Sequence, residues 1–270
     1  MIFKDFKTIY RYGDVFCLKP CADWHVGHRY HDRGALLDYL RAGYDDPKCY
    51  IVSVGDLADA IVVGDKRYVK SADGVMGQAI LDSQMEDLAR LLMPFKGRIL
   101  GLGMGNHELT ILKHHGSHLI RKLSEKLDTH SLGYQWMVRW RFFEDDGNGS
   151  TARVRTLLVY GHHGWGGGGR TAGASDTKYE KNAAKYIADI YLYGHDHKAK
   201  SQEIERMSVK GQAMVSNPYR LYFCGTFKKT FSATDEPTWE ESRGFDPVPI
   251  RGLNIYIKPS RKWFEIWSDV

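Results

Sequence analysis

The chain opens with short apolar runs set between longer segments of helical period. Val15–Cys21, Cys49–Val54 and Arg98–Leu102 have the length and apolar content of buried strands. Between them, Asp32–Ala42 puts Leu36, Leu37 and Leu40 on one side of a short helix. Met76–Met93 predicts a longer helix, closed by Pro94, and Ser117–Leu127 another. Strand and helix in alternation predict a mostly parallel sheet with helices packed outside it.

After residue 130 the period changes. Tyr134–Phe143 and Arg153–Tyr160 read as long strands joined by the turn-rich run from Glu144 to Ser150, a hairpin signal. Asp176–Ile187 predicts a helix and Ile190–Tyr193 a short strand. Beyond it the chain reads mainly as strand, at Gln202–Val209, Arg220–Cys224, Leu253–Lys258 and Trp263–Trp267. No internal repeat appears, and no linker rich in Pro, Gly or Ser divides the chain. The expectation is one α/β domain over residues 1–270, with two packed sheets and helices outside.

Composition narrows this picture without redirecting it. The 270 residues are 43% hydrophobic, enough for a core that needs no disulfides. The four cysteines form no CxxC pair, which fits a reduced, cytoplasmic protein. No apolar stretch reaches the roughly 18 residues of a membrane span, so no membrane partner is expected. The first residues lack the apolar region of a secretory signal. A net charge of +5 suits a phosphate-bearing partner but is shared by many proteins without one.

The chemistry lies in five short motifs, each just after an apolar run: Asp23-x-His25, Gly55-Asp56-x-x-Asp59, Gly105-Asn106-His107-Glu108, Gly161-His162-His163 and Gly194-His195-Asp196-His197. Ligands of α/β sheets bind beyond the carboxyl ends of the strands, so distant segments can converge there. Imidazole and carboxylate together suit Mn, Fe, Zn or Ni, and the absence of Cys from the motifs argues against a structural zinc finger. Two neighbouring cations need an anionic bridge, for which Asp56 is the natural choice. Two metals about 3.5–4 Å apart can clamp both oxygens of an in-line displacement and bring a bound water to hydroxide near neutral pH.

This set of motifs resembles that of the calcineurin-like metallophosphoesterases, and the match runs from Asp23 to His197. The resemblance implies a four-layer αββα sandwich of two mixed sheets flanked by helices. It implies two divalent metal ions, manganese before iron, zinc or nickel. Asp23, His25 and His197 would hold the first ion, Asp56 would bridge, and Asn106, His162 and His195 would complete the second. His107 would protonate the leaving oxygen, with Asp59 orienting its imidazole. Of the adjacent pair, the family form H-x-G favours His162 as ligand and leaves His163 to touch substrate. Protein phosphatases of this superfamily carry Arg where Ala60 stands here, so the chain looks more like the phosphodiesterase and nuclease-like branches. Its tail, Gly225-Thr226-Phe227-Lys228 and Trp239 to Phe245, weakly resembles phage and bacterial members.

The expected activity is hydrolysis of phosphate esters, diesters before monoesters, by a metal-bridging hydroxide. A nucleotide phosphomonoesterase is the alternative, and a scaffold without catalysis the reading from outside the enzyme class. Three further features bear on substrate. The glycine run from Gly164 to Gly169 would form a rim, with Trp165 offering a stacking face and Arg170 a phosphate contact. Basic residues interleave with aromatics at 66–70, 136–141 and 227–231, the composition of single-stranded nucleic-acid sites and equally of half-exposed strands. Glu108 reads as a carboxylate favoured at a helix N-terminus, and His28 and His31 as loop residues.

Overall fold

The computed structural model describes residues 1–62, 65, 78–145, 147, 151–166 and 173–270. In chain order its elements are β1 (Ile2–Tyr10), β2 (Phe16–Ala22), α1 (Arg33–Arg41), β3 (Cys49–Gly55), α2 (Gln78–Leu92), β4 (Ile99–Gly103), α3 (Asn106–His115) and α4 (Leu119–Leu127). There follow β5 (Ser131–Gly133), β6 (Gln135–Asp145), β7 (Thr151–His162), α5 (Ala174–Ala183), β8 (Ile190–Tyr193), β9 (Ala199–Ile204), β10 (Met207–Lys210) and β11 (Ala213–Ser216). The last are β12 (Tyr219–Cys224), α6 (Trp239–Ser242), β13 (Ile255–Pro259) and β14 (Phe264–Ser268).

The strands form two six-stranded mixed sheets, in the orders β1-β6-β7-β8-β12-β9 and β14-β13-β2-β3-β4-β5. β10 and β11 make a separate two-stranded ribbon. In the second sheet β2, β3, β4 and β5 run parallel, and β13 joins β2 antiparallel. In the first, β6 and β7 form the expected hairpin, while β7, β8 and β12 run parallel.

Strand alternation sorts the apolar residues into three clusters. Tyr50, Val52 and Val54 of β3 face Trp136, Val138, Trp140 and Phe142 of β6 in the core between the sheets. Cys49 and Ile51, on the other face of β3, pack beneath α1, α2, α3 and α4. Tyr160, Tyr191, Tyr193 and Phe223 turn outward from the first sheet and pack against Tyr179 and Ala183 of α5. Three cores between four layers give the αββα sandwich. Full burial of a large apolar side chain contributes roughly 1.5–3 kcal/mol, and Trp136 and Trp140 are completely buried.

Several elements differ from the sequence expectations, among them β5, β11 and α6, which the pattern does not predict. β1 was not expected, because its alternation leaves Phe3, Asp5, Lys7 and Ile9 outward and exposed. The strand expected at Gln202–Val209 is divided between β9 and β10, with Glu205 and Arg206 between them. Asn106 and His107 form the first turn of α3. Among the described residues no helix is long and apolar enough to cross a membrane.

Candidate metal centre

The motif residues converge at the carboxyl ends of β2, β3, β4, β7 and β8. Asp23 and His25 follow β2, Asp56 follows β3, and Asn106 opens α3 just beyond β4. The loop after β2 continues the parallel pairing: Asp23, His25 and Val26 donate backbone N–H bonds to the carbonyls of Gly55, Asp56 and Leu57. Gly55 has φ +114°, and a Cβ there would lie 2.1 Å from the Gly105 nitrogen. The Gly-Asp and Gly-Asn motifs therefore touch through a position only glycine can fill.

The backbone is strained where the chemistry collects. Asp23, His25, Asp56, His195 and His197 all have positive φ, between 48° and 72°. Among the described residues only Ala60 and Asp128 share that conformation without being glycine. Such strain costs about 1–3 kcal/mol per residue and persists where surrounding structure enforces it, typically at functional sites.

Three groups of side chains can each present ligand atoms to one point: Asp23, His25 and His197; Asp23, Asp56 and His163; and His25, Asp56 and His107. Shared members place these points side by side. In the first group the Nε2 atoms of His25 and His197 stand 3.2 Å apart. In its carboxylate, Asp23 Oδ2 accepts the His195 N–H at 2.8 Å, while the buried Oδ1 has no hydrogen-bond partner. Burial pushes the His25 and His197 pKa values well down and that of Asp23 well up.

A second cluster forms around Asn106. Its Oδ1 lies 3.0 Å from His163 Nε2 and 2.9 Å from His195 Nδ1. His163 Nε2 is also 3.2 Å from Asp56 Oδ2. The Val54 carbonyl, 3.2 Å from His163 Nδ1, can only accept, so that nitrogen carries the hydrogen of the neutral ring. The Gly166 carbonyl fixes His195 Nε2 in the same way at 2.6 Å. The facing atoms of Asp56, Asn106, His163 and His195 are then all acceptors. Such a cluster needs a proton or a cation in its midst. Burial lowers the pKa of His163, but Asp56 outweighs it and raises the ring to about 9. His163 and His107 likewise hold Asp56 below its ordinary value against the effect of burial. The buried orphan oxygen of Asp23 and these opposed acceptors fit a pair of divalent cations.

The adjacent histidines exchange the positions expected of them. The structure brings His163, not His162, into the cluster. Leu157 and Val159 of β7 face the inter-sheet core, and two more steps of two bring Gly161 and His163 to that face. His162 points the other way, where its Nδ1 accepts from the Gly164 N–H and its ring meets Tyr134 and Trp165 edge-on. His163, expected against substrate, is fully buried.

His107 stands beside both groups. Its N–H donates to Asp56 Oδ1 at 2.9 Å, and its ring lies edge-on to His25 with centroids 4.6 Å apart. Its Nδ1 is 2.5 Å from the Asp59 backbone carbonyl and 3.8 Å from the Asp59 carboxylate. Nδ1 therefore carries a hydrogen, and Nε2 lies 3.9 Å from Asp56 Oδ2. The Asp59 carboxylate sits between this ring and His25 Nδ1, 3.6 Å away.

Two residues outside the expected set matter as much. Glu108 is buried, and its carboxylate accepts four backbone N–H groups, from Asp56, Leu57, Ala58 and Gly105, at 2.8–3.1 Å. It clamps the Asp56 loop to the start of α3. Thr226 Oγ1 donates to the Asp23 carbonyl at 2.7 Å and holds the C-terminal segment there. Next to it, Lys228 is buried and paired with Glu240 at 2.6 Å.

Of the substrate-contact residues, Trp165 is 39% exposed, edge-on to His162, with Lys178 over its ring. Arg170 lies outside the described residues, as does the basic stretch at 66–70. In the other two basic-aromatic stretches Trp136, Trp140 and Phe227 are buried, while Phe231 is 49% exposed.

No protein-family model matches the chain, and no curated protein matches it. Among solved structures it is similar to vacuolar protein sorting 29 of Cryptosporidium parvum, at 12% identity over 96% of this chain and 97% of that one, with a TM-score of 0.38. It is similar to a zinc-complexed vacuolar protein sorting 29 of Entamoeba histolytica, at 12% identity over 94% and 98%, TM-score 0.36. A third is a conserved protein of Streptococcus pneumoniae described as a predicted phosphoesterase, at 10% identity over 94% and 98%, TM-score 0.35. Likeness at this level assigns the chain neither a family nor an activity.

Proposed function

We propose that the chain is a dinuclear metal-dependent phosphoesterase of the calcineurin-like kind, acting on phosphodiesters before monoesters. The observation that carries this is the crowding of ligand atoms from Asp23, His25, Asp56, Asn106, His163, His195 and His197 around adjacent points, with acceptors opposed at about 3 Å. Asp23, His25 and His197 would hold one cation and Asn106, His163 and His195 the other, with Asp56 between them. Two such cations supply neutralisation of charge at phosphorus and acidification of water. The chain's own contribution is to fix the imidazoles. The Val54 and Gly166 carbonyls select the tautomers of His163 and His195, and Glu108 holds the Asp56 loop. His107 delivers a proton from Nε2 to the departing oxygen, and since Nδ1 keeps its hydrogen on the Asp59 carbonyl, the donor is the imidazolium.

A dianionic monoester calls for an additional cation beside the metals, as the superfamily's Arg would supply. Here Ala60 is buried with its N–H on Gln84, and Lys228 is neutralised by Glu240. Among the described residues these two positions supply no such cation, which supports a singly charged diester. The test is metal-stripped protein reloaded with Mn²⁺ and offered bis-p-nitrophenyl phosphate and p-nitrophenyl phosphate in parallel. Faster diester turnover supports the reading, faster monoester turnover replaces it with a phosphomonoesterase, and no turnover of either with Mn²⁺, Zn²⁺, Fe²⁺ or Ni²⁺ rejects it.

A further inference from the structure

β1 ends the first sheet with an open edge. Its nine residues pair with β6 in unbroken register, from Ile2 opposite Trp136 to Tyr10 opposite Glu144. Among the described residues no strand lies on its other side. It contains no proline or bulge, two devices that blunt such an edge, and of the charged guards it carries Lys4 and Lys7. Its outward face exposes Phe3 (49%) and Ile9 (73%), with Asp5 and Lys7 between them. α5 packs on β7, β8 and β12 and leaves this end of the face uncovered.

The strand Ile2-Phe3-Lys4-Asp5-Phe6-Lys7-Thr8-Ile9-Tyr10 is complementary to itself when reversed. A two-fold axis perpendicular to the sheet keeps like faces together, so odd positions face odd and even face even. Full overlap sets Phe6 opposite Phe6. Asp5 then faces Lys7 of the second copy, and Phe3 faces Ile9. Sliding two residues one way opposes Asp5 to Asp5, and the other way Lys7 to Lys7. Opposite charges and apolar pairs across antiparallel strands are favourable, and like charges directly opposite are not. The register of greatest overlap is thus also the one that pairs the charges.

We propose that β1 is a self-association edge, on which a second copy of this chain adds its own β1 antiparallel and joins the two first sheets into one. Lys4 and Lys7, which would otherwise guard the edge, face Thr8 and Asp5 in this arrangement. In the first sheet the metal-centre residues follow β7 and β8, which β6 separates from this edge.

The test is light scattering after size exclusion, with sedimentation velocity over a concentration series. The chain approaches twice its 30.9 kDa mass as concentration rises. Asp5→Lys and Lys7→Asp each stay monomeric alone, because each opposes like charges, but associate when mixed, because position 5 of one then complements position 7 of the other. Asp5 also pairs with Arg139 at 2.6 Å, so Asp5→Lys is checked for its fold by circular dichroism. Phe3→Asp and Ile9→Lys, both at exposed positions, form a second pair read in the same way. A wild-type monomer at all concentrations, single variants that dimerise like wild type, or folded pairs that do not associate on mixing would each overturn the proposal.

Discussion

Glu108 gives the sharpest quantitative prediction. Its carboxylate is buried beside Asp56 and accepts backbone N–H groups on both sides of the metal centre. Burial and the Asp56 charge raise its pKa, while the N–H donors work against that rise. Glu108→Gln keeps the volume and removes the charge. The amide oxygen can still accept from Leu57 and Ala58, but the new NH₂ group then meets the N–H groups of Asp56 and Gly105, donor against donor. Two charge-assisted bonds lost at about 1.5–3 kcal/mol each give a destabilisation of roughly 3–6 kcal/mol. Glu108→Ala loses all four bonds but opens room for water to reach the donors, so it falls in the same range rather than doubling it. Domain stability is about 5–15 kcal/mol in total, so either variant unfolds at visibly lower urea. Urea titration followed by tryptophan fluorescence in a chelator measures this loss apart from metal binding. A loss under about 1 kcal/mol for Glu108→Gln would refute the clamp, since that is the worth of a single ordinary hydrogen bond.

Three other outcomes follow from the site. His163→Ala weakens binding of one ion by at least about 10-fold, the scale on which even supporting contacts of metal ligands act, while His162→Ala leaves it unchanged; isothermal titration with Mn²⁺ distinguishes them, and the reverse pattern would restore His162 as ligand. His107→Ala keeps its metal but loses about 10²–10⁴-fold in kcat, and an unchanged kcat removes its role as proton donor. Without metal, stability depends on pH through the buried histidines. Burial holds His28 at about 3 and His162 at about 4, below the ordinary 6.5, so the unfolded chain takes up protons first as pH falls. Their contribution is complete above pH 6.5 and is lost as pH falls from there to about 4 for His162 and about 3 for His28. His163, raised to about 9, acts oppositely: its contribution is complete below 6.5 and is lost as pH rises through 9. A Tm measured in chelator that climbs steadily from pH 7 to pH 5 would contradict this balance.

Much of the site was legible because each motif follows a strand whose apolar run marks where it ends. Asp56 and Asn106 could be placed at strand termini from the runs before them, and the structure puts them there. The choice between His162 and His163 was legible too, by counting in twos from Leu157 and Val159, but the family form H-x-G pointed to the other residue. Glu108 was read as one carboxylate at a helix start. Its four donors come mostly from a loop some 50 residues earlier, and only the folded chain brings them together. β1 was hidden because its partner β6 lies more than 130 residues away, and an edge strand with one exposed face lacks a continuous apolar run. The tail motif points to Thr226 and Lys228 but not to their roles, since what they hold is a backbone carbonyl and a buried glutamate.

The most direct test of the two-ion centre is its metal content. Protein stripped of metal, dialysed against Mn²⁺ and analysed by plasma emission should hold two ions per chain. Asp56→Asn, which removes the carboxylate between the two ligand groups, should hold fewer. One ion or none in the wild type, or two that survive Asp56→Asn, would contradict the account.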